Sequence, residues 1–299
     1  MNIDWKGVFP AITTPFSEDG TVDHGFLAEH ARWLVDAGCA GIIPCGSLGE
    51  SATLRAEEKQ TIFETAVVAV GARVPVVGAI AALSTVEAVR LARAAERAGC
   101  SGLMVLPPYT YSTDAREMGA HVSAVFDATN LPCMLYNNPP AYRTDYQPAE
   151  IAALAARHPN LVAVKESSGD VRRVTAIRAL LGDRLAVLIG VDDLVTEAVD
   201  AGAVGWVAGL VNAFPSESVA LFELARRGER AGAIPLYRWF LPLLRMDTVP
   251  KFVQLIKLAQ ERVGMGTARV RPPRLPLVGE ELAQAEATIA TALAERVKA

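Results

Sequence analysis

The sequence predicts an α/β protein, a (β/α)8 TIM barrel with a C-terminal helical extension, on three observations. Short apolar runs alternate with longer segments of helical periodicity. The runs are continuously apolar, as parallel strands covered on both faces must be. Polar residues able to do chemistry follow the runs, where a barrel of this kind keeps its active site.

The expected strands are 8–14, 40–45, 74–80, 102–106, 133–136, 161–165, 186–190 and 205–208. Between them, 23–37, 55–70, 84–98, 114–129, 148–157 and 170–181 carry apolar residues at helical three- and four-residue intervals. Gly38, Gly71, Gly99, Gly182 and Gly202 stand where helices must end before the next strand. Eight such units in a row favour a closed barrel. The competing open, doubly wound sheet carries a glycine-rich phosphate turn after a strand, whereas Gly264-Met265-Gly266 falls inside the late helical region. The segment 216–227 closes the repeating pattern, and 234–244, 249–263 and 280–298 read as further helices. The expected organisation is a barrel over 1–229 that holds the active site and a helical extension over 230–299 packed on it.

With 299 residues, 51% hydrophobic and 21% charged, the chain can bury a large core and does not read as disordered. A net charge of -4, without a Lys/Arg-rich run, argues against a nucleic-acid partner. Asp4 and Lys6 interrupt the N-terminus and no apolar run reaches the roughly 18 residues that span a bilayer, so neither a signal peptide nor a membrane partner is expected and the chain is placed in the cytoplasm. Cys39, Cys45, Cys100 and Cys133 lack paired spacing and are expected as buried free thiols. His24, His30, His121 and His158 form no metal-binding pattern, so no metal is expected, and the lysine chemistry expected below requires no cofactor.

The strand ends carry the candidate chemistry. Lys165 follows Leu161-Val162-Ala163-Val164 and begins its course in a dry interior. To act as a nucleophile its ammonium must be destabilised by about 4 kcal/mol, which brings a reference pKa of about 10.4 near neutrality, and burial is the usual means. Read alone, a strand-end lysine is more often structural. Tyr136 closes the preceding strand, so its phenol is expected beside Lys165, and Asn137-Asn138-Pro139-Pro140 turns the backbone just beyond it. Gly46-Ser47-Leu48-Gly49-Glu50 offers backbone N–H groups to an anion, although Ser47 could equally cap a helix. In Gly190-Val191-Asp192-Asp193, Gly190 permits close approach of a ligand, and the aspartates read as caps of the next helix.

Together with Val164-Lys165-Glu166-Ser167-Ser168-Gly169, these motifs resemble the dihydrodipicolinate synthase and N-acetylneuraminate lyase family, a likeness that starts at Gly7-Val8-Phe9-Pro10 and spans nearly the whole chain. The resemblance implies that Lys165 forms a Schiff base, that Tyr136 shuttles protons and that Ser47 relays them. It implies that Tyr109 reaches into a neighbouring subunit's site, which requires a homodimer or homotetramer. Backbone groups of Ser47 and Leu48 would hold the substrate carboxylate, with Gly190 and Val207 lining the pocket. Two departures concern the substrate. Synthases usually carry adjacent threonines where this chain has Ser47-Leu48, and they place an arginine two residues after the proline of the tyrosine motif, whereas here Arg143 is displaced.

The segments 237–244 and 251–258 resemble members that deaminate 1-pyrroline-4-hydroxy-2-carboxylate to 2,5-dioxopentanoate and ammonia. The expectation is therefore a Schiff-base lyase for a small 2-oxo or cyclic 2-imino acid, with that deaminase first. The alternatives are 4-hydroxy-tetrahydrodipicolinate synthase, a 2-keto-3-deoxy sugar acid dehydratase or aldolase, and a sialic acid lyase. A non-catalytic binding protein of this fold is disfavoured by the joint presence of Lys165, Tyr136 and Ser47.

Overall fold

The structure, a computed structural model, describes residues 3–109 and 114–297. Among the described residues seven strands form one sheet: β1 (Gly7–Pro10), β2 (Val77–Ile80), β3 (Gly102–Val105), β4 (Cys133–Asn137), β5 (Leu161–Glu166), β6 (Ala186–Ile189) and β7 (Gly205–Ala208). All neighbours are parallel, in the order β1-β7-β6-β5-β4-β3-β2.

The segment 40–45, expected as the second strand, closes the ring between β1 and β2. Ile43 bridges Ala11 and Ile42 bridges Val76, both in parallel sense. Ala40 and Ile43 donate amides to Val8 and Pro10, and the carbonyls of Ile42 and Pro44 accept from Val77 and Ala79. The ladder stays too short to count as a strand because Pro44 has no N–H and Cys45 leaves the extended region at φ 62.

Ten helices correspond to the expected ones: α1 (His24–Asp36), α2 (Ala56–Val70), α3 (Thr85–Arg97), α4 (Ala115–Phe126), α6 (Pro148–Arg157), α7 (Arg172–Leu181), α9 (Pro215–Arg226), α10 (Arg230–Leu244), α11 (Phe252–Arg262) and α12 (Gly279–Ala294). Asp23, Ser84 and Asp114 cap α1, α3 and α4 by accepting a backbone N–H. Two short helices were not anticipated, α5 (Pro139–Tyr142) and α8 (Val195–Asp200). Neither is long enough to show a period, and the prolines of α5 read as extended chain although they sit at its first two positions, where a missing N–H costs nothing.

Successive strand side chains point to opposite faces, which sorts the core into two clusters. Phe9, Ala79, Met104, Met134, Tyr136, Ala163, Leu188 and Val207 fill the barrel interior. Their neighbours Val8, Ile80, Leu103, Val105, Leu135, Val164, Val187 and Trp206 pack outward against the helices. The same parity puts Lys165, two residues after Ala163, on the inner face. The four cysteines are buried and free. Among the described residues no helix is long and apolar enough to cross a membrane.

The C-terminal helices reach into this architecture. From α11, Val253 and Ile256 join the interior cluster, and the Lys257 ammonium lies 2.6 Å from the fully buried Glu50 carboxylate at the end of the 46–50 loop. Lys257 also donates to the Arg269 carbonyl, while the Arg271 amide donates to the other Glu50 oxygen. Removing one member of a buried ion pair leaves an uncompensated charge. Lys257→Met is therefore expected to lose about 3–5 kcal/mol of stability in denaturant unfolding, with part of that loss recovered by adding Glu50→Gln.

Candidate active site

Tyr136 and Lys165 are register partners across β4 and β5. Their outward-facing successors lock that register, because Asn137 donates to the Glu166 carboxylate at 3.1 Å and accepts the Tyr146 amide at 2.9 Å. On the inner face the Lys165 nitrogen lies 4.2 Å from the centre of the Tyr136 ring. Lys165 is 6% exposed, and among the described residues its nitrogen makes no hydrogen bond or close ion pair. Burial lowers its pKa to about 8, with the charges of Asp247 and Asp192 opposing the fall. A larger share of the amine is therefore free near neutral pH than in a solvated lysine.

Gly190 makes room for that side chain. A Cβ at this position would stand 2.2 Å from both Lys165 Cε and Ser167 Oγ. Since real Cβ contacts are never so short, the sequence signal at Gly190 reflects close approach of the lysine itself.

Burial pushes the Tyr136 phenol up to about 12, against the hydrogen bond from Asn138 and the nearby Ser167 and Ser47 hydroxyls. Asn138 does two things at once. Its Oδ1 accepts the Ala141 amide and starts α5, and its Nδ2 donates to the Tyr136 hydroxyl at 2.8 Å. The single turn of α5 then carries Tyr142 over the same mouth. The Tyr142 ring meets Tyr136 edge-on at 5.8 Å and lies 5.7 Å from Tyr109, and its hydroxyl is hydrogen-bonded to Ser47 Oγ. Ser47 thus bonds a phenol and caps no helix.

Cys45 and Glu50, at φ 62 and φ 55, bracket the 46–49 turn with two left-handed non-glycine residues, a strained shape of the kind found at ligand sites. Within that turn, among the described residues, the amides of Ser47 and Leu48 donate to no acceptor of the chain. Leu48 and Val207 are buried in the interior cluster with Tyr136. Arg143 ends α5 at φ 59, is exposed, and makes no hydrogen bond or ion pair with the lysine–tyrosine pair.

The aspartates after Gly190 do not cap the following helix, contrary to expectation. Asp192 instead accepts the Trp206 indole N–H at 2.9 Å and the amides of Gly209 and Leu210 at 3.1 and 2.7 Å, tying β6 to the end of β7. Burial raises it to about 6, opposed first by those backbone donors. Asp247, from the turn after α10, was not anticipated at all. A Cβ on Gly209 would lie 2.1 Å from its Oδ1, so its carboxylate rests on the end of β7. Burial, then the charges of Asp192 and Asp193, raise its pKa well above the usual range, while Lys165 opposes them. No local sequence pattern could have placed Asp247, since it reaches the mouth only because the C-terminal segment folds back over the barrel. Among the described residues no group of three or more His, Cys, Asp or Glu is placed to hold a metal ion.

A barrel that aims a desolvated lysine and a neighbouring phenol from the ends of adjacent strands is a lyase working through a lysine Schiff base. The chain belongs to the dihydrodipicolinate synthetase family, whose sequence pattern matches residues 4–292. A 4-hydroxy-tetrahydrodipicolinate synthase of Methanoculleus marisnigri is 36% identical over 285 residues, covering 94% of this chain and 96% of its own. One from Rhizobium meliloti is 32% identical, covering 91% and 92%. Among solved structures, a dihydrodipicolinate synthase from Bacillus anthracis superposes with a TM-score of 0.93 at 28% identity over 100% of both chains. A prophage protein of this family from E. coli K12, solved in complex with pyruvate, superposes with a TM-score of 0.90 at 29% identity, covering 97% of this chain and 99% of that one.

Two outcomes follow from this geometry. Gly190→Ala displaces Lys165 and is expected to abolish borohydride-dependent labelling by pyruvate while the chain stays folded by circular dichroism. In the wild type the rate of Schiff-base formation should rise with pH through a midpoint near pH 8 and level off above it, as the ammonium loses its proton. Asp247→Asn removes a charge that favours the ammonium, so the midpoint of that rise should move to lower pH in rapid-quench trapping.

Proposed function

We propose that the chain captures pyruvate on Lys165 and adds it to an aldehyde, the reaction class named for its relatives, the 4-hydroxy-tetrahydrodipicolinate synthases. The carrying observation is the unpaired Lys165 amine over the Tyr136 ring. The amine adds to the C2 carbonyl and water leaves, forming a protonated imine. Loss of a C3 proton gives the enamine that attacks the aldehyde carbon. Tyr136 handles protons at the reacting centre and Ser47 exchanges them with it. The free amides of Ser47 and Leu48 hold the pyruvate carboxylate. Gly190 and Val207 shape the wall, and Tyr109 contributes at the rim, in our reading of a homodimeric or homotetrameric enzyme of the cytoplasm.

The comparisons support this synthase reading better than the deaminase reading favoured by the sequence. The deaminase of 1-pyrroline-4-hydroxy-2-carboxylate stays as a second reading for one reason. Leu48 is apolar, Ala141 stands two residues after Pro139, and Arg143 is exposed, so none of these three positions sets a cation beside the lysine–tyrosine pair to receive the semialdehyde's carboxylate.

Borohydride reduction with pyruvate, followed by peptide mass analysis, should place the adduct on Lys165, and Lys165→Ala should lose it. Turnover of pyruvate with aspartate semialdehyde supports the synthase. Release of ammonia from the hydroxypyrroline acid, without that condensation, reverses the ranking, and absence of any adduct with the wild-type chain sinks both.

A further inference from the structure

We propose that Arg274, brought to the 46–50 turn by the C-terminal segment, receives the second carboxylate of a 2-oxo diacid held on Lys165. The proposal rests on the Schiff-base reading above and names the substrate class that the site selects, an acceptor aldehyde with a carboxylate of its own.

The chain that leaves α11 returns to the turn bearing Ser47 and Leu48. Val270 joins the interior cluster that contains Leu48 and Tyr136, with Tyr109 and Tyr142 packed at its margin. One residue on, the Arg271 amide donates to Glu50 Oε2 at 3.1 Å. The Arg274 amide donates to the Arg271 carbonyl at 3.2 Å, and this fold of the chain leaves the Arg274 guanidinium 3.7 Å from the same Glu50 oxygen. Glu50 in turn closes the loop, its amide donating to the Ser47 carbonyl at 3.1 Å. The guanidinium is thus one carboxylate away from the turn whose Ser47 and Leu48 amides have no acceptor. Tyr142 is tied to that turn through Ser47. Burial raises the Tyr142 phenol, and the Arg274 charge is among the effects that oppose the rise, so its field reaches α5.

The other cations around this turn are committed. Lys257 lies 2.6 Å from Glu50 and donates to the Arg269 carbonyl. Arg271 makes hydrogen bonds to Glu58 at 3.1 and 2.9 Å and to the carbonyls of Gly20 and Thr53. Arg269 donates to the Phe16 carbonyl and stands 3.8 Å from Glu18. Arg274 differs from all three, because among the described residues its guanidinium makes no hydrogen bond. Lys257 already answers the Glu50 charge and Arg271 that of Glu58, which leaves the Arg274 charge in surplus. Its side chain is 27% exposed, open to an entering molecule. A planar guanidinium with every donor uncommitted suits a carboxylate, which it can grip through two parallel hydrogen bonds. Arg143 also lacks a bonded partner, but it is exposed at the far end of α5 and touches no part of the turn by hydrogen bond or ion pair.

The two anion sites divide the substrate between them. The free amides hold the carboxylate next to the imine, and Arg274 holds the one at the other end of the chain, a spectator in the bond-forming step. The C-terminal segment in this way supplies the charge that Ala141 and Arg143 do not.

The test compares two 2-oxo acids of equal length, trapped on Lys165 with borohydride. 2-Oxoheptanedioate has the seven carbons of pyruvate joined to aspartate semialdehyde, and 2-oxoheptanoate lacks the far carboxylate. The readout is the ratio of the concentrations that give half-maximal labelling, which a partial loss of folded protein does not move. Wild type should favour the diacid by about tenfold, and Arg274→Gln should bring the ratio to within about twofold of unity. Arg274→Lys keeps the charge without the planar fork and should fall between them. Arg143→Gln should keep the wild-type ratio. A wild-type ratio in Arg274→Gln, or a ratio lost in Arg143→Gln and kept in Arg274→Gln, overturns the assignment. Absence of a wild-type adduct with pyruvate fails the Schiff-base reading itself. A wild type that captures pyruvate but does not prefer the diacid, or captures neither longer acid, fails the Arg274 assignment alone.

Discussion

An amine kept away from water and left without a close partner is the constraint on which this site depends. A lysine that is to attack a carbonyl needs a dry wall to lose its proton, yet it must face a cavity to meet its substrate. The barrel reconciles the two demands because alternate residues of each parallel strand point inward, and their shared cluster of aliphatic and methionine side chains excludes water below the lysine. Gly190 and Tyr136 then define the space. One withholds a side chain where the lysine must pass, and the other supplies a ring face 4.2 Å from the nitrogen.

Two carboxylates limit how far burial can carry that effect. Asp192 and Asp247 both favour the ammonium, and both are themselves raised by burial, so the three groups share one balance of charge at the mouth. Asp192 is held by donors from β7, which makes it part of the frame. Asp247 arrives from the C-terminal helices, whose other anchor is the buried pair of Lys257 and Glu50. That pair also terminates the 46–50 turn, so the helices that follow the barrel set both the shape of the turn bearing Ser47 and the charge facing Lys165. Asn138 makes a similar coupling on the opposite side, joining the direction of the Tyr136 phenol to the start of α5.

Much of this was readable along the chain. The seven strands and ten longer helices lie within a few residues of their apolar patterns, and Lys165, Tyr136, Ser47 and Gly190 were singled out from their places at strand ends. Readability failed where structure is short or contacts are distant. The 40–45 run looked like any other strand, but Pro44 and the left-handed Cys45 cut its ladder to single bridges. The turn Pro139–Tyr142 is too brief to show a period. Asp192 looked like a helix cap because its neighbours in sequence are helical, whereas its donors lie 14 to 18 residues away.

By itself the sequence determined the fold class and that Lys165 and Tyr136 end adjacent strands, since both follow from local regularities: the period of apolar residues, and the order of strands along a parallel barrel. Only the tertiary structure decided what surrounds that pair. It brought Tyr142 onto Ser47, placed Asp247 against the end of β7, and turned Arg143 away into solvent. The physical reason is that hydrogen bonds and charge balances depend on separations of a few ångströms between residues far apart in the chain, a distance that no pattern of neighbours encodes.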